Sequence, residues 1–339
     1  MNWDTSYIFD EDDIPAAYAA GAEGVIYDVA GHEAFLGHVK DTGNNPVGAE
    51  VASDYAFADE SKGKLVIPFV HVLDKYPTAW PGPAQKRGDC VSHAVSRSLL
   101  GVVCTEIISG IPDEKSGKLE EAPEVSPEAE SQAVFSSEAL YWFRRKNSDG
   151  WQSSSAAKVA LTKAGAVVRK PYPEVDLDLT RYSAQTAGKW GSTPPPDEVV
   201  DAVDDHLFRT ATSLDSIEEW RDFLGRGFFI ASDGGEGFER TRDENGVSHR
   251  KGSWSHAMCV CGLDDRPETH RLYGCALSLF LNSWGTYNSG PRKIRGTDIN
   301  IPEGSFWAPV DEFRRRATAF SGANGWARKS LPDLSPGFN

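Results

Sequence analysis

The chain reads as an α+β protein with helices first and strands after. Three observations predict this. Val91, Ala94, Val95, Leu99, Val102 and Val103 recur at helical spacing, and several shorter segments up to residue 224 do the same. From residue 228 the pattern changes to short apolar runs separated by turn residues. Finally, Cys90 heads the first long helix and His256 heads a strand in the second half. A helical lobe packed on a β lobe would leave a cleft between them, a common place for a site.

The elements follow in order. Residues 1–65 are acidic and turn-rich and form, with the segment to 76, an N-terminal extension of unknown role. Residues 64–70 are apolar and suit a strand, after which Pro77, Pro81, Gly82 and Pro83 break the chain. Asp89 is a good N-cap for a helix beginning at Cys90, and Ser109-Gly110-Ile111-Pro112 stops that helix. Residues 112–131 are acidic and proline-containing and read as a solvated loop. Further helices fit 136–146, 154–164, 197–208 and 216–224. Strands fit 228–231, 256–262, 276–281 and 305–310, with a polar, glycine-containing loop at 232–252. The helical lobe is thus about 77–225, the β lobe about 226–320, and 321–339 a C-terminal tail.

Composition narrows the function classes. The chain has 339 residues, enough to bury a large core without help from disulfides or metals. Ten tryptophans suggest that this core is rich in aromatic rings. A net charge of −15 argues against nucleic-acid and anionic-membrane surfaces, which call for basic patches. No run approaches ~18 consecutive apolar residues, so no membrane-spanning helix is expected. The acidic start at Met1–Asp13 does not resemble a signal peptide. The five cysteines, Cys90, Cys104, Cys259, Cys261 and Cys275, are odd in number and show no framework spacing, which favours a reducing, cytoplasmic compartment.

Cys90, His256, Asn282 and Gln85 have the residue types of one catalytic site. A free thiol titrates near ~8.5, and a helix N-terminus with a nearby imidazolium stabilises its anion. His256 can take that role if a partner orients its ring, and Asn282 can accept from one ring nitrogen. Trp284 can cover the histidine–asparagine bond, and Gln85 can donate to an oxyanion beside the Cys90 amide. His93, one turn after Cys90, reads more readily as a packed helix-face residue than as a thiol-tuning one. Cys259 and Cys261 share a strand face but lack a second ligand pair, so no metal is expected; nor is any cofactor.

Asn282-Ser283-Trp284-Gly285 matches the asparagine motif of the papain-like cysteine peptidases, and Ser255-His256-Ala257-Met258 followed by Cys259-Val260-Cys261-Gly262 resembles their histidine strand. Gly88-Asp89-Cys90-Val91-Ser92-His93-Ala94 resembles the nucleophile helix of divergent bacterial and phage members. Asp149-Gly150-Trp151, then Gly165-Ala166-Val167 and Lys170-Pro171-Tyr172-Pro173, resemble the stretch bordering the family's substrate cleft. The resemblance spans about 77–315. It implies a papain-like fold, with a helical lobe packed on a barrel-like β lobe, a Cys90–His256–Asn282 triad with Gln85 at the oxyanion, peptide or protein substrates, and substrate contacts at Gly150, Trp151, Trp284 and Asp89.

The chain departs from the pattern in places. Gln85 precedes Cys90 by five residues, one fewer than in the better-known members, and Arg87 stands where many relatives carry a disulfide-forming cysteine. Val91 replaces the usual aromatic residue, and no inhibitory propeptide signature is found in 1–76. Two rival functions use the same residues. One is a thiol isopeptidase or amide transferase; the other is a papain-fold component of a virion or other assembly, with residues 1–65 as its arm.

Overall fold

The computed structural model describes residues 61–110, 121–142, 150–152, 165–202, 210–310 and 316–321, with short strands at 25–26 and 49–51. In chain order these hold β1 (Val25–Ile26), β2 (Ala49–Val51), β3 (Leu65–Val66), α1 (Phe69–Lys75), α2 (Cys90–Ser109), α3 (Pro127–Ser131) and α4 (Ser137–Tyr141). There follow β4 (Trp151–Gln152), β5 (Pro171–Tyr172), β6 (Leu177–Asp178), α5 (Ala184–Trp190), α6 (Asp197–Asp201), β7 (Thr210–Leu214) and α7 (Ile217–Gly225). The last are β8 (Ile230–Phe238), β9 (Arg250–Asp264), α8 (Pro267–Tyr273), β10 (Leu277–Leu281), β11 (Ser305–Pro309) and β12 (Arg316–Ser321).

Helix α2 is the axis of the molecule. Its apolar residues sit where the helical period puts them, and Val91, Ala94, Val95, Leu99 and Val103 are buried in the larger core cluster. Gly110 ends it in the left-handed conformation, with φ 62° and its N–H on the Glu106 and Ile107 carbonyls. Over Cys90–Ile108 the helix is long and apolar enough to cross a membrane by length and composition. It is instead enclosed by β9, β8, β12, α1 and α4, as a core helix. Gly101 makes the closest approach possible: a Cβ there would lie 2.2 Å from the Phe229 ring.

The main sheet runs β11-β10-β9-β8-β12-β7-β2, with β3 also paired to β9, eight strands among the described residues. All pairs are antiparallel except β2–β7. The two faces of β9 follow the pleat. Ala257, Cys259 and Cys261 face the cluster around α2, and Met258 and Val260 face a second cluster with Trp220, Phe223, Phe280 and Phe306. A strand covered on both faces reads as a continuous apolar run, as 256–262 does.

The α+β class holds, but the helix-before-strand order holds only in outline, since β2, β3 and β7 of the main sheet precede α7, and α8 falls between β9 and β10. The barrel-like β lobe does not follow from them, because the described strands form an open sheet with no closed barrel. Three local expectations also change. Residues 64–70 are a two-residue strand and then helix α1, since Val66 ends its pairing with Leu263 and Pro68 takes the helical conformation before Phe69. Leu65, Ile67, Phe69 and Val72 are buried, so this part of the N-terminal extension packs into the core. The loop expected at 232–252 contains the outer arms of a β8–β9 hairpin, whose glycines let the strands approach: a Cβ on Gly237 would lie 2.3 Å from the Lys251 carbonyl. The solvated loop at 112–131 contains α3, capped by the Ser126 side chain. The helix expected at 154–164 lies outside the described residues.

Candidate active site

Strand β9 places His256 seven residues in, at the point where the strand passes from exposed to buried. Strand β10 pairs beside it with Leu281 opposite Cys259, which brings Asn282 alongside the imidazole. His256 Nε2 and Asn282 Oδ1 are 3.0 Å apart. Trp284 lies flat on the ring, with centroids 4.4 Å apart and planes at 24°. Trp254 and Tyr287 meet the Trp284 ring edge-on at 4.7 and 5.3 Å. His256 and Asn282 have no exposed surface, so their bond forms where water competes little.

Cys90 occupies the first position of α2, the place the sequence assigns it, and its side chain is fully buried. The segment before it is tied directly to the Asn282 segment. Gln85 N donates to the Ser283 carbonyl at 2.8 Å, and the Ser283 hydroxyl donates to Gln85 Oε1. These bonds span 198 residues of sequence. The remaining end of the Gln85 amide donates to the Arg87 carbonyl at 2.8 Å, so one end of this side chain is held by the Ser283 segment and the other within the 85–90 loop. Arg87 takes over the staple that a disulfide would supply: its Nη1 donates to the Ala184 carbonyl at 2.9 Å, and its guanidinium lies over the Tyr141 ring. Gly188 makes room for it, since a Cβ there would lie 1.9 Å from Arg87 Nη1. None of the five cysteines is in a disulfide.

Asp89 stands at the N-cap position but does not cap. Its backbone, at φ −102° and ψ 22°, is outside the extended region that points a cap side chain at the first turn. Its carboxylate instead accepts from the Tyr182 hydroxyl at 2.7 Å and lies 3.5 Å from His93 Nε2. Asp89 is fully buried, as are Cys90 and His256. Burial is the first cause holding the His93 imidazole below its ordinary range, against the opposite pull of Asp89. Burial, then Asp89, pushes the Tyr182 phenol well above its own. A buried ion pair lies close by. Arg169 reaches both Glu138 oxygens, at 2.8 and 3.2 Å, and Ser183 N donates to Glu138 Oε1.

Of the other expected contacts, Gly150 adopts φ 81° and donates its N–H to the Tyr141 hydroxyl, which itself donates to the Gly88 carbonyl. That phenol bridges the 85–90 loop to residue 150. The Trp151 backbone pairs with Val25 in β1. Cys259 and Cys261 are core thiols: burial pushes Cys259 up to about 12, and Cys261 also well above its ordinary value. Among the described residues no group of histidines, cysteines and carboxylates is placed to hold a metal. Sequence reading missed Tyr182, Asn288 and Arg242. Asn282 Nδ2 donates to Asn288 Oδ1 at 2.9 Å, and Arg242 is a buried arginine against the same loop. Neither has a sequence signal beyond being polar near the motif.

This architecture belongs to a known class of fold. The chain superposes on xylellain, a cysteine protease from Xylella fastidiosa, with a TM-score of 0.51 at 15% identity, covering 88% of this chain and 96% of that one. It also matches proCathepsin B S9 from Trypanosoma congolense, with a TM-score of 0.43 at 12% identity, over 91% of this chain and 89% of that one. No family model and no curated protein matches the sequence. The fold is papain-like.

Proposed function

We propose that the chain is a cysteine peptidase that cleaves peptide bonds through Cys90, His256 and Asn282. The observation that supports this most is the His256–Asn282 bond under Trp284, joined through Ser283 to the loop that leads into Cys90. His256 takes the Cys90 proton, and the sulfur attacks the carbonyl carbon to form a tetrahedral oxyanion. Gln85 and the Cys90 N–H stabilise that oxygen. As the C–N bond breaks, the leaving amine receives the proton from His256, and a thioester remains on Cys90. Water then attacks the thioester with His256 as base, releasing the carboxylic acid and restoring the thiol. The peptide runs past Gly150 and Trp151, which Tyr141 links to the Gly88 carbonyl.

The test is Cys90→Ala. It should abolish turnover of a peptide panel and labelling by an epoxide thiol reagent. Labelling that persists in this variant places the nucleophile elsewhere and ends the proposal.

A further inference from the structure

A carboxamide has an oxygen end and a nitrogen end that fill the same space. Only one orientation of Asn282 offers His256 Nε2 an acceptor; the other offers it a donor. Something in the protein must choose. Trp284 covers the bond but, stacked on the imidazole, does not distinguish the two ends.

The next two partners do. Asn288 is 1% exposed and bridges two groups with its own carboxamide. Its Nδ2 donates to the Glu239 carbonyl at 3.2 Å, and its Oδ1 accepts from Asn282 Nδ2 at 2.9 Å. A backbone carbonyl accepts and never donates. The nitrogen end of Asn288 must therefore face Glu239, which turns its oxygen end to Asn282. That draws the nitrogen end of Asn282 away from the histidine and leaves Oδ1 on Nε2. We propose that Asn288 is a positioning residue that passes the fixed polarity of the Glu239 carbonyl, through Asn282, to His256. Nε2 is then the donor both in the neutral ring and in the imidazolium. Nδ1 is left as the nitrogen that exchanges a proton, and no amide has to turn during the reaction.

The relay is held in place by a cation. Arg242 is 4% exposed and donates to the carbonyls of Asn288, Ser305, Pro291 and Gly290 at 2.8, 2.6, 2.9 and 2.8 Å. Its own N–H donates to the Ser289 carbonyl, and Ser289 N donates to the Arg240 carbonyl. Four charge-assisted bonds fix the backbone at Asn288, just after it and at Ser305. Burial holds the guanidinium down at about 10, still charged at neutral pH.

This inference rests on the peptidase reading, and the test separates the two. Asn288→Leu removes both ends of the relay; Asn288→Asp keeps the acceptor toward Asn282 but exchanges the donor for a carboxylate oxygen facing the Glu239 carbonyl. With active sites counted by epoxide titration, N288L should lower kcat roughly tenfold with KM within about twofold. N288D should stay within about threefold of the parent in kcat. Equal losses in the two variants would make Asn288 a packing residue and overturn the relay, as would an N288L variant with parental kcat. Should N288L not fold, N288D decides alone: a kcat loss as large as that of Asn282→Ala overturns the relay. A parent chain that neither cleaves peptides nor takes the epoxide at Cys90 removes the peptidase reading itself.

Discussion

The two halves of the site are held by different kinds of force. Around Cys90, position depends on ionisable groups taken out of water: Asp89 against Tyr182 and His93, and Glu138 against Arg169. Around His256, it depends on neutral carboxamides and stacked rings: Asn282, Asn288, Trp284, Trp254 and Tyr287. Charges in a low dielectric hold firmly but answer to pH, and each becomes costly once its partner is gone. Amides and rings keep their state across the pH scale. His256 is therefore oriented by a carboxamide and a stacked indole, neither of which titrates. The charged group on this side, Arg242, grips the backbone around Asn288 and does not touch the imidazole.

The sharpest way to break this comparison is at its strongest ion pair. Arg169→Met leaves the Glu138 carboxylate buried with no cation, and should cost about 3–5 kcal/mol in urea denaturation. A loss under about 1 kcal/mol would mean that this side does not depend on its charges. Tyr182→Phe removes one donor to Asp89 and should cost about 1–3 kcal/mol. In the same variant, epoxide labelling of Cys90 should slow while tryptophan packing around His256 stays unchanged by near-ultraviolet circular dichroism. The smallest effect is in pH. Because the folded His93 titrates below its ordinary 6.5, the unfolded chain binds the extra proton first as pH falls. Stability should thus decline from about pH 6.5 downward, over a window that ends at the folded value. His93→Phe should flatten that decline in melting curves taken across the window, and an unchanged slope would assign it to the carboxylates alone.

Much of the site was readable because its chemistry is local. Cys90 lies after a helix-starting Gly-Asp and before a helical apolar pattern, and the structure starts α2 at that residue. Asn282-Ser283-Trp284-Gly285 packs its asparagine and tryptophan within three residues, and both reach His256. The supporting residues were not readable, because their roles come from pairings across the fold. Tyr182 meets Asp89 across 93 residues, and Arg242 meets Asn288 across 46. The Asp89 cap failed for the same reason: a buried phenol outcompetes the first-turn amides for its carboxylate. The outer hairpin of β8 and β9 looked like a loop because Gly234, Gly235, Gly237 and Gly252 carry a loop composition into a strand pair.

The bond between Gln85 and Ser283 also sets an order of events. The Cys90 helix can be made early in synthesis, but Ser283, Asn288 and the Ser305 carbonyl that Arg242 grips all belong to the last fifth or so of the described chain. Contacts this distant in sequence close late in folding. A ribosome-bound chain therefore carries the Cys90 segment long before it carries the residues that hold His256 and Asn282 in place.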